Sequence, residues 1–342
     1  MKAVVVTEFG EPEVLRLQTV RRPVPAPDEA VVQIKCCGVC HLDLILRSGM
    51  RSRVKLPRIL GHELAAVIVE VGPNVDGFKP GDRVTSFNFQ ACGSCADCLR
   101  GRASLCRQTQ GDIGQTRDGG YAEYAALKIS NLVKLPDGMP FESACLAACV
   151  FGPPYKAIRH VGNIQPGQTV VITGASGGLG LAAIQITKVL QGRSIAITSS
   201  ASKAKQLLGL GADEVIVSPG GDFGEEVRKR TGGRGADLVL ELIGSPTFYG
   251  SMRSLAPGGC MAVIGELHGK PVEINLGLLI IKEFQLRGVQ SANRMELQEV
   301  LNFMHSHSIH PTIWKTLPLG SAAQAHKELA NREALGRMLL VP

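Results

Sequence analysis

Apolar positions in the first part of the chain come in short β-type runs, Ala30 to Cys36, Ala65 to Val71 and Arg83 to Phe87, separated by Gly and Pro clusters. This punctuation predicts an irregular, mostly β domain. The pattern changes near Pro153-Pro154. From there β-rich runs alternate with helical periodicity: Thr169 to Thr173, then Leu179 to Val189, then Ser194 to Thr198, continuing through Glu214 to Val217, Ala236 to Ile243 and Cys260 to Ile264. Such alternation predicts βαβ units and a parallel sheet, an α/β fold. Past about residue 290 it gives way to a helical segment, Met295 to Met304, and a last run, Gly336 to Val341, that reads as a returning strand.

Composition narrows the function classes. At 342 residues the chain is long enough for about two domains. With 44% hydrophobic and 20% charged residues it is neither disordered nor fibrous. The net charge of +7 is scattered, its densest cluster, Arg228 to Arg230, lying beside Glu225 as a solvated helix face would. Aromatics are only 4%, so a basic stripe with stacking platforms for nucleic acid is not expected. The apolar neighbourhood of Leu276 to Ile281 falls well short of the ~18 residues of a membrane span. Met1 to Thr7 runs straight into Glu8 and Glu11, unlike a signal peptide. A cytoplasmic protein is expected, its ten cysteines serving as thiols or metal ligands.

Cys92, Cys95, Cys98 and Cys106 are spaced C-x2-C-x2-C-x7-C. Four thiolates this close can enclose one tetrahedral Zn²⁺, and a site without an open position is structural. Buried free thiols fit poorly among Gly93, Ser94, Asp97 and Arg100. Spacing alone leaves an iron–sulfur cluster or a zinc ribbon open.

After the run Thr169 to Thr173 comes Gly174-Ala175-Ser176-Gly177-Gly178-Leu179-Gly180, opening into a helix. Strand, glycine loop and helix in this order aim backbone N–H groups and the helix dipole at a pyrophosphate. A tight turn without ligand is the bland alternative. The next run ends at Thr198-Ser199-Ser200 without the acid that an NAD enzyme uses for the ribose 2′-OH. Ser199 and Ser200, with Lys203 one turn on, would instead suit a 2′-phosphate and hence NADP(H). Against this stands the ordinary reading that Ser200 or Ser202 caps a helix and Lys203 is solvated.

Two further fragments carry metal-ligand types, Gly38-Val39-Cys40-His41-Leu42-Asp43 and Gly61-His62-Glu63. Each alone is more often a core cysteine or a satisfied histidine. Together with the four-cysteine lobe, the glycine loop and the terminal Gly336-Arg337, however, they stand in the order of the zinc-containing medium-chain alcohol dehydrogenase and quinone-reductase-like family, and the chain resembles that family over essentially its whole length. The resemblance implies a GroES-like, mostly β catalytic domain at 1–150, completed by 291–342, and a doubly wound Rossmann domain at 151–290.

The resemblance also makes Cys40 and His62 ligands of a catalytic zinc, beside the structural zinc. Spacing cannot choose between Cys145 and Cys149 for the third ligand. The family places it six residues before a Tyr-Lys-Ala like Tyr155-Lys156-Ala157, which selects Cys149. Glu63 would stand beside the metal or act as occasional fourth ligand, Asp43 would orient His62, and Arg337 matches a position that reaches the pyrophosphate. Cys36, Cys37, Cys145 and Cys260 remain as buried small residues, and Phe87 and Phe89 either line the substrate side or belong to the core.

The activity implied is an alcohol dehydrogenase or carbonyl reductase, a homodimer or homotetramer, in which zinc binds the oxygen of a small-molecule substrate while hydride passes to or from NADP(H). One departure bears on this. The residue two after the first ligand and that three further on, normally Ser or Thr and often His, carry the alcohol proton; here they are Leu42 and Ile45. Relatives that reduce an activated C=C bond, such as acryloyl-CoA reductases, also lack this relay, and Gly244-Ser245-Pro246-Thr247-Phe248 looks like theirs. An NADPH-dependent enoyl reductase is therefore the alternative, and a non-catalytic binding protein of the same fold a remote one.

Overall fold

Strands β1 (Lys2–Val6), β2 (Leu15–Thr19), β3 (Glu29–Val39), β4 (Arg58–Ile59), β5 (Glu63–Val71), β6 (Arg83–Ser86), β7 (Tyr124–Lys128) and β8 (Leu132–Lys134) fill the N-terminal segment. The middle segment carries β9 (Thr169–Ile172), β10 (Arg193–Thr198), β11 (Glu214–Val217), β12 (Ala236–Glu241), β13 (Leu255–Val263) and β14 (Gln285–Gly288), and the tail β15 (Ile313–Pro318) and β16 (Arg337–Val341). The computed structural model describes residues 1–50, 54–267 and 269–342. The chain divides into one unit of Met1–Cys149 with Ser291–Pro342 and another of Val150–Gln290.

In the first unit the long β3 is the organising strand. It pairs antiparallel with β5, β7 and β16, in a sheet ordered β15-β16-β3-β5-β6-β8, while β2-β1-β4 forms a smaller sheet. Its run Ala30 to Ile34 is buried at nearly every position, which is why it reads as a continuous apolar stretch rather than an alternating one. Register shifts between β3 and β5 fall at Val31/Val32 and Ile34/Cys36, bends of the kind that curl a sheet. Val32, Ile34, Leu64, Ile68, Leu127 and Leu340 meet in one core. The returning strand is β16, paired with β3 through Leu339 and Gly38.

The second unit is a six-stranded, all-parallel sheet in the order β11-β10-β9-β12-β13-β14. Renumbered from its own first strand this is 3-2-1-4-5-6, the doubly wound Rossmann order, whose ligands bind beyond the strand ends where the order reverses, here between β9 and β12. Each strand end feeds a helix: Gly178–Val189 after β9, Ala201–Gly209 after β10, Gly224–Arg230 after β11 and Phe248–Ser254 after β12. The apolar run at Leu276 is a short surface helix, Leu276–Lys282, with Leu276, Ile280 and Ile281 exposed. No helix among the described residues is long and apolar enough to cross a membrane.

Candidate active site

The register of three adjacent strands builds the first candidate metal centre. β3 runs into Cys40, which caps the helix His41–Arg47. β5 begins at Glu63, directly opposite Gly38 of β3, so His62 and Glu63 lie beside the strand end that delivers Cys40. Gly61 makes the turn into His62: its φ is +90°, and a Cβ there would lie 2.4 Å from the Tyr121 ring. Cys149 comes from the helical stretch Ala147–Phe151.

One ligand atom each from Cys40, His62, Glu63 and Cys149 lies within 4.8 Å of all the others. Cys149 Sγ is 3.7 Å from His62 Nε2, close to the ~3.6 Å separation that two ligands of one tetrahedral zinc require at ordinary Zn–S and Zn–N lengths. The residues present therefore fit a zinc ion of mixed sulfur and nitrogen ligation. Cys145, the other candidate for third ligand, is buried with its thiol donating to the Glu142 carbonyl at 3.4 Å.

The electrostatics follow from burial. A hydrogen bond with Cys149, helped by Arg337 and His62, holds Cys40 well below the usual thiol range against the cost of burial, and the same bond with burial pushes Cys149 well up. Burial alone would lower the pKa of His62, but the charge of Asp43 and hydrogen bonds to Asp43 and Cys40 raise it well above the ordinary imidazole value. Glu63 is raised by burial, with Arg337 opposing. Metal binding must displace protons from such a set, so affinity depends on pH.

Asp43 Oδ1 lies 3.1 Å from His62 Nδ1, a contact of the kind that sets a ring tautomer and leaves Nε2 free for a metal. Arg337, whose neighbour Met338 pairs with Val39, is itself buried. It reaches across to Glu63, donating from Nε to Oε2 at 3.0 Å and from a terminal nitrogen to Oε1. The guanidinium expected at a pyrophosphate is thus engaged with the carboxylate of the metal centre. Leu42 and Ile45 are half-buried on the helix His41–Arg47 and bring no exchangeable proton. His41 is held below the usual imidazole range by burial. Phe87 and Phe89 are both buried, their rings edge to face at 5.2 Å.

In the second candidate metal centre the Sγ separations are 3.8 Å for Cys92–Cys98, 3.5 Å for Cys95–Cys98, 3.9 Å for Cys95–Cys106 and 3.5 Å for Cys92–Cys106. Four thiolates at ~2.3 Å from a tetrahedral zinc stand about 3.8 Å apart, so the lobe is already shaped for the ion. Backbone N–H groups of Ser94 and Cys95 lower Cys92 to about 6, while burial and its thiol neighbours raise Cys98 to about 12.

At the Rossmann switch point Gly174 follows β9 with φ +56°, and Gly177 caps the helix Gly178–Val189. The first-turn N–H groups of Gly178, Leu179 and Gly180 have no intrahelical acceptor and are available to a phosphate. Gly180 allows the close approach of helix to loop: a Cβ would lie 2.5 Å from Ala175 Cα. Beyond β10, Ser199 is exposed and Ser200 stands at the N-cap of Ala201–Gly209 without a side-chain capping bond, its Oγ instead 2.8 Å from Ser202 Oγ. Lys203 is half-buried, and that burial lowers its pKa.

Sequence reasoning missed three buried polar groups. Tyr121 and His326 lie behind Asp43, linked to it through the tyrosine hydroxyl. Glu241, at the end of β12, accepts from the N–H groups of Ile243 and Gly244 and from the hydroxyls of Thr173, Thr247 and Ser251, pinning the loop beside the glycine turn. His326 could have been placed by helical spacing, since it shares a face with Ala322, Ala325 and Leu329.

A Rossmann sheet with a glycine loop, joined in sequence to a GroES-like β unit carrying two cysteine-containing clusters that could hold metal, defines a nicotinamide-dependent dehydrogenase or reductase. Residues 26–137 match the alcohol dehydrogenase GroES-like domain and residues 178–306 the zinc-binding dehydrogenase domain. The chain is 36% identical over 343 residues to an acryloyl-coenzyme A reductase of Sulfurisphaera tokodaii, covering all of both proteins. It is 34% identical to an alcohol dehydrogenase of Geobacillus stearothermophilus, over 99% of each. Among solved structures, that of AibC superposes with a TM-score of 0.94 at 41% identity, covering 100% of this chain and 96% of the other. The chain belongs to the zinc-containing medium-chain dehydrogenase/reductase family and is an oxidoreductase of it, similar to the acryloyl-CoA reductase branch.

Proposed function

We propose that this protein is an NADPH-dependent reductase of activated C=C bonds, with an enoyl thioester as its substrate class. The observation that carries the reading is the pairing of a complete ligand set with an apolar proton path. Cys40, His62, Cys149 and neighbouring Glu63 are all present, yet Leu42 and Ile45 stand where an alcohol's proton would have to leave. Likeness to acryloyl-coenzyme A reductases over the whole chain supports the same choice and moves alkene reduction ahead of the alcohol chemistry that sequence reasoning puts first.

Cys40, His62 and Cys149 would hold the ion, with Asp43 orienting His62, and Cys92, Cys95, Cys98 and Cys106 would hold a second, structural zinc. When bound, zinc supplies a Lewis acid for the carbonyl oxygen and NADPH a hydride. The reduction would add hydride from NADPH at the β-carbon and a proton from water at the α-carbon, leaving the saturated thioester and NADP⁺. Because carbon rather than an alkoxide oxygen is protonated, no hydroxyl is needed at position 42. The N–H groups of Gly178 to Gly180 would hold the pyrophosphate, with Ser176 and Gly177 beside it and Gly174 shaping the turn. Ser199, Ser200 and Lys203 would hold the 2′-phosphate.

Ten unpaired cysteines suit a reducing cytoplasm. The exposed apolar helix Leu276–Lys282 next to edge strand β14 suits a homo-oligomer. The test is reduction of an enal and an enoyl thioester with 4-deuterated NADPH. Deuterium on the β-carbon of a saturated product supports the proposal; deuterium on the carbinol carbon of an alcohol, with the alkene intact, overturns it in favour of carbonyl reduction.

A further inference from the structure

Behind the metal centre a fully buried chain of polar groups runs from His62 through Asp43 and Tyr121 to His326 on the helix Ala322–Ala330. The direction of every hydrogen bond in it is forced by counting protons. As a carboxylate Asp43 only accepts, and it has about four lone-pair sites. Oδ1 takes the Gly61 N–H at 3.2 Å and the His62 Nδ1–H at 3.1 Å; Oδ2 takes the Cys40 N–H at 3.0 Å and the Tyr121 hydroxyl at 3.2 Å. All four sites are used.

Tyr121 therefore spends its one proton on Asp43, since the alternative sets two oxygen lone pairs against each other in a buried site. Its oxygen must then accept from His326 Nε2, 3.3 Å away. Burial lowers His326 to about 4, so the ring is neutral at pH 7 and carries a single proton. That proton sits on Nε2, which leaves Nδ1 without one, consistent with a buried Nδ1 that has no hydrogen-bond partner among the described residues.

We propose that Tyr121 and His326 are positioning residues of the catalytic metal centre: His326 Nε2–H aims the Tyr121 hydroxyl at Asp43, and Asp43 so fixed holds His62 in the tautomer and orientation that binds metal. This rests on the reading of Cys40, His62 and Cys149 as zinc ligands. It separates the pair from ordinary core residues such as Leu127, whose loss would lower stability without touching the ion.

The test uses the zinc-loaded enzyme and a cobalt-substituted form, with the four-cysteine site as internal reference. Removal of an outer partner of a ligating histidine weakens metal binding ~10–100-fold, and a partner one bond further out is expected at the lower end, about tenfold. Tyr121→Phe and His326→Leu should each release the catalytic-site metal to a chelator about tenfold more readily and shift the cobalt d–d bands, leaving the four-cysteine ion unaffected. His326→Gln, which keeps a donor near Nε2, should restore wild-type retention. The double variant Tyr121→Phe/His326→Leu should be no worse than Tyr121→Phe alone, because the two act through one bond.

A folded Tyr121→Phe protein with wild-type metal retention and spectrum overturns the proposal, as does a His326→Gln protein as impaired as His326→Leu. If the substituted proteins do not fold, nitrogen-15 spectra of the wild-type zinc enzyme decide: an Nε2–H tautomer at His326 supports it and an Nδ1–H tautomer overturns it. A wild-type protein that takes up only the four-cysteine ion refutes the underlying metal reading instead.

Discussion

Replacing Arg337 by Met isolates the buried ion pair beside the first candidate metal centre. Glu63 is fully buried and Arg337 nearly so, joined by two N–H···O bonds, one to each carboxylate oxygen, across β16, β3 and β5. Methionine keeps much of the aliphatic volume and abandons the carboxylate. Leaving one partner of a buried pair uncompensated costs about 3–5 kcal/mol. For a unit of about 200 residues that corresponds to a Tm lowered by roughly 7–12 °C. Because the pair is shielded, added salt should change the loss little.

The sign of the pH dependence is fixed by Glu63, whose folded pKa burial raises and Arg337 restrains. A carboxyl raised on folding contributes stability that is full below its unfolded pKa and is lost as pH rises through the folded one. Without Arg337 the folded value climbs further, so the deficit of the variant should grow from pH 5 to pH 8. Calorimetry of Arg337→Met and of Arg337→Met/Glu63→Gln, with and without zinc, is the assay. The double variant should recover part of the loss, and zinc should soften it by supplying positive charge near Glu63. A Tm within about 2 °C of wild type at pH 8, or a double variant no better than the single, would refute the reasoning.

Elemental analysis should find about two zinc equivalents per chain; Cys40→Ala should lose one together with activity while the fold survives, and Cys95→Ala should lose the other and lower stability. NADPH should exceed NADH in kcat/KM by about ten- to a hundredfold, the worth of a charge-assisted contact of ~1.5–3 kcal/mol from Lys203. Ser199→Asp should move that preference toward NADH, and a wild-type enzyme favouring NADH would show the loop misread. Leu42→Thr should raise primary alcohol oxidation by at least tenfold, since a positioned proton carrier contributes ~10²–10⁴-fold; no gain would remove the proton-path argument.

The parallel sheet was legible because strands such as Val170 to Ile172 and Leu238 to Leu240 are buried on both faces, which leaves unbroken apolar runs between helical periods. The four-cysteine lobe was legible because its ligands are local in sequence. Strands β1, β2, β4, β7, β8, β14 and β15 were not read: β2 and β14, for example, are short and largely exposed, with only Leu15 and Leu17 in the one and Leu286 in the other as apolar side chains, too few for a period to stand out. The groups behind the metal were hidden for a different reason. Tyr121 and His326 are 205 residues apart, and Arg337 and Glu63 274; their meeting depends on β16 closing onto β3, which no local pattern states. Glu241 looked like one more acid at a strand end, and only its five donors reveal a structural carboxylate.

The central claim is that hydride ends on carbon of a conjugated alkene. It is tested most directly by kcat/KM of the zinc-loaded enzyme for an acryloyl- or crotonyl-thioester with NADPH, set against that for a simple primary alcohol with NADP⁺ at neutral pH. Alkene reduction should win by at least about a hundredfold, the lower bound of what a missing proton carrier costs the alcohol. Rapid alcohol oxidation without turnover of the thioester would contradict it.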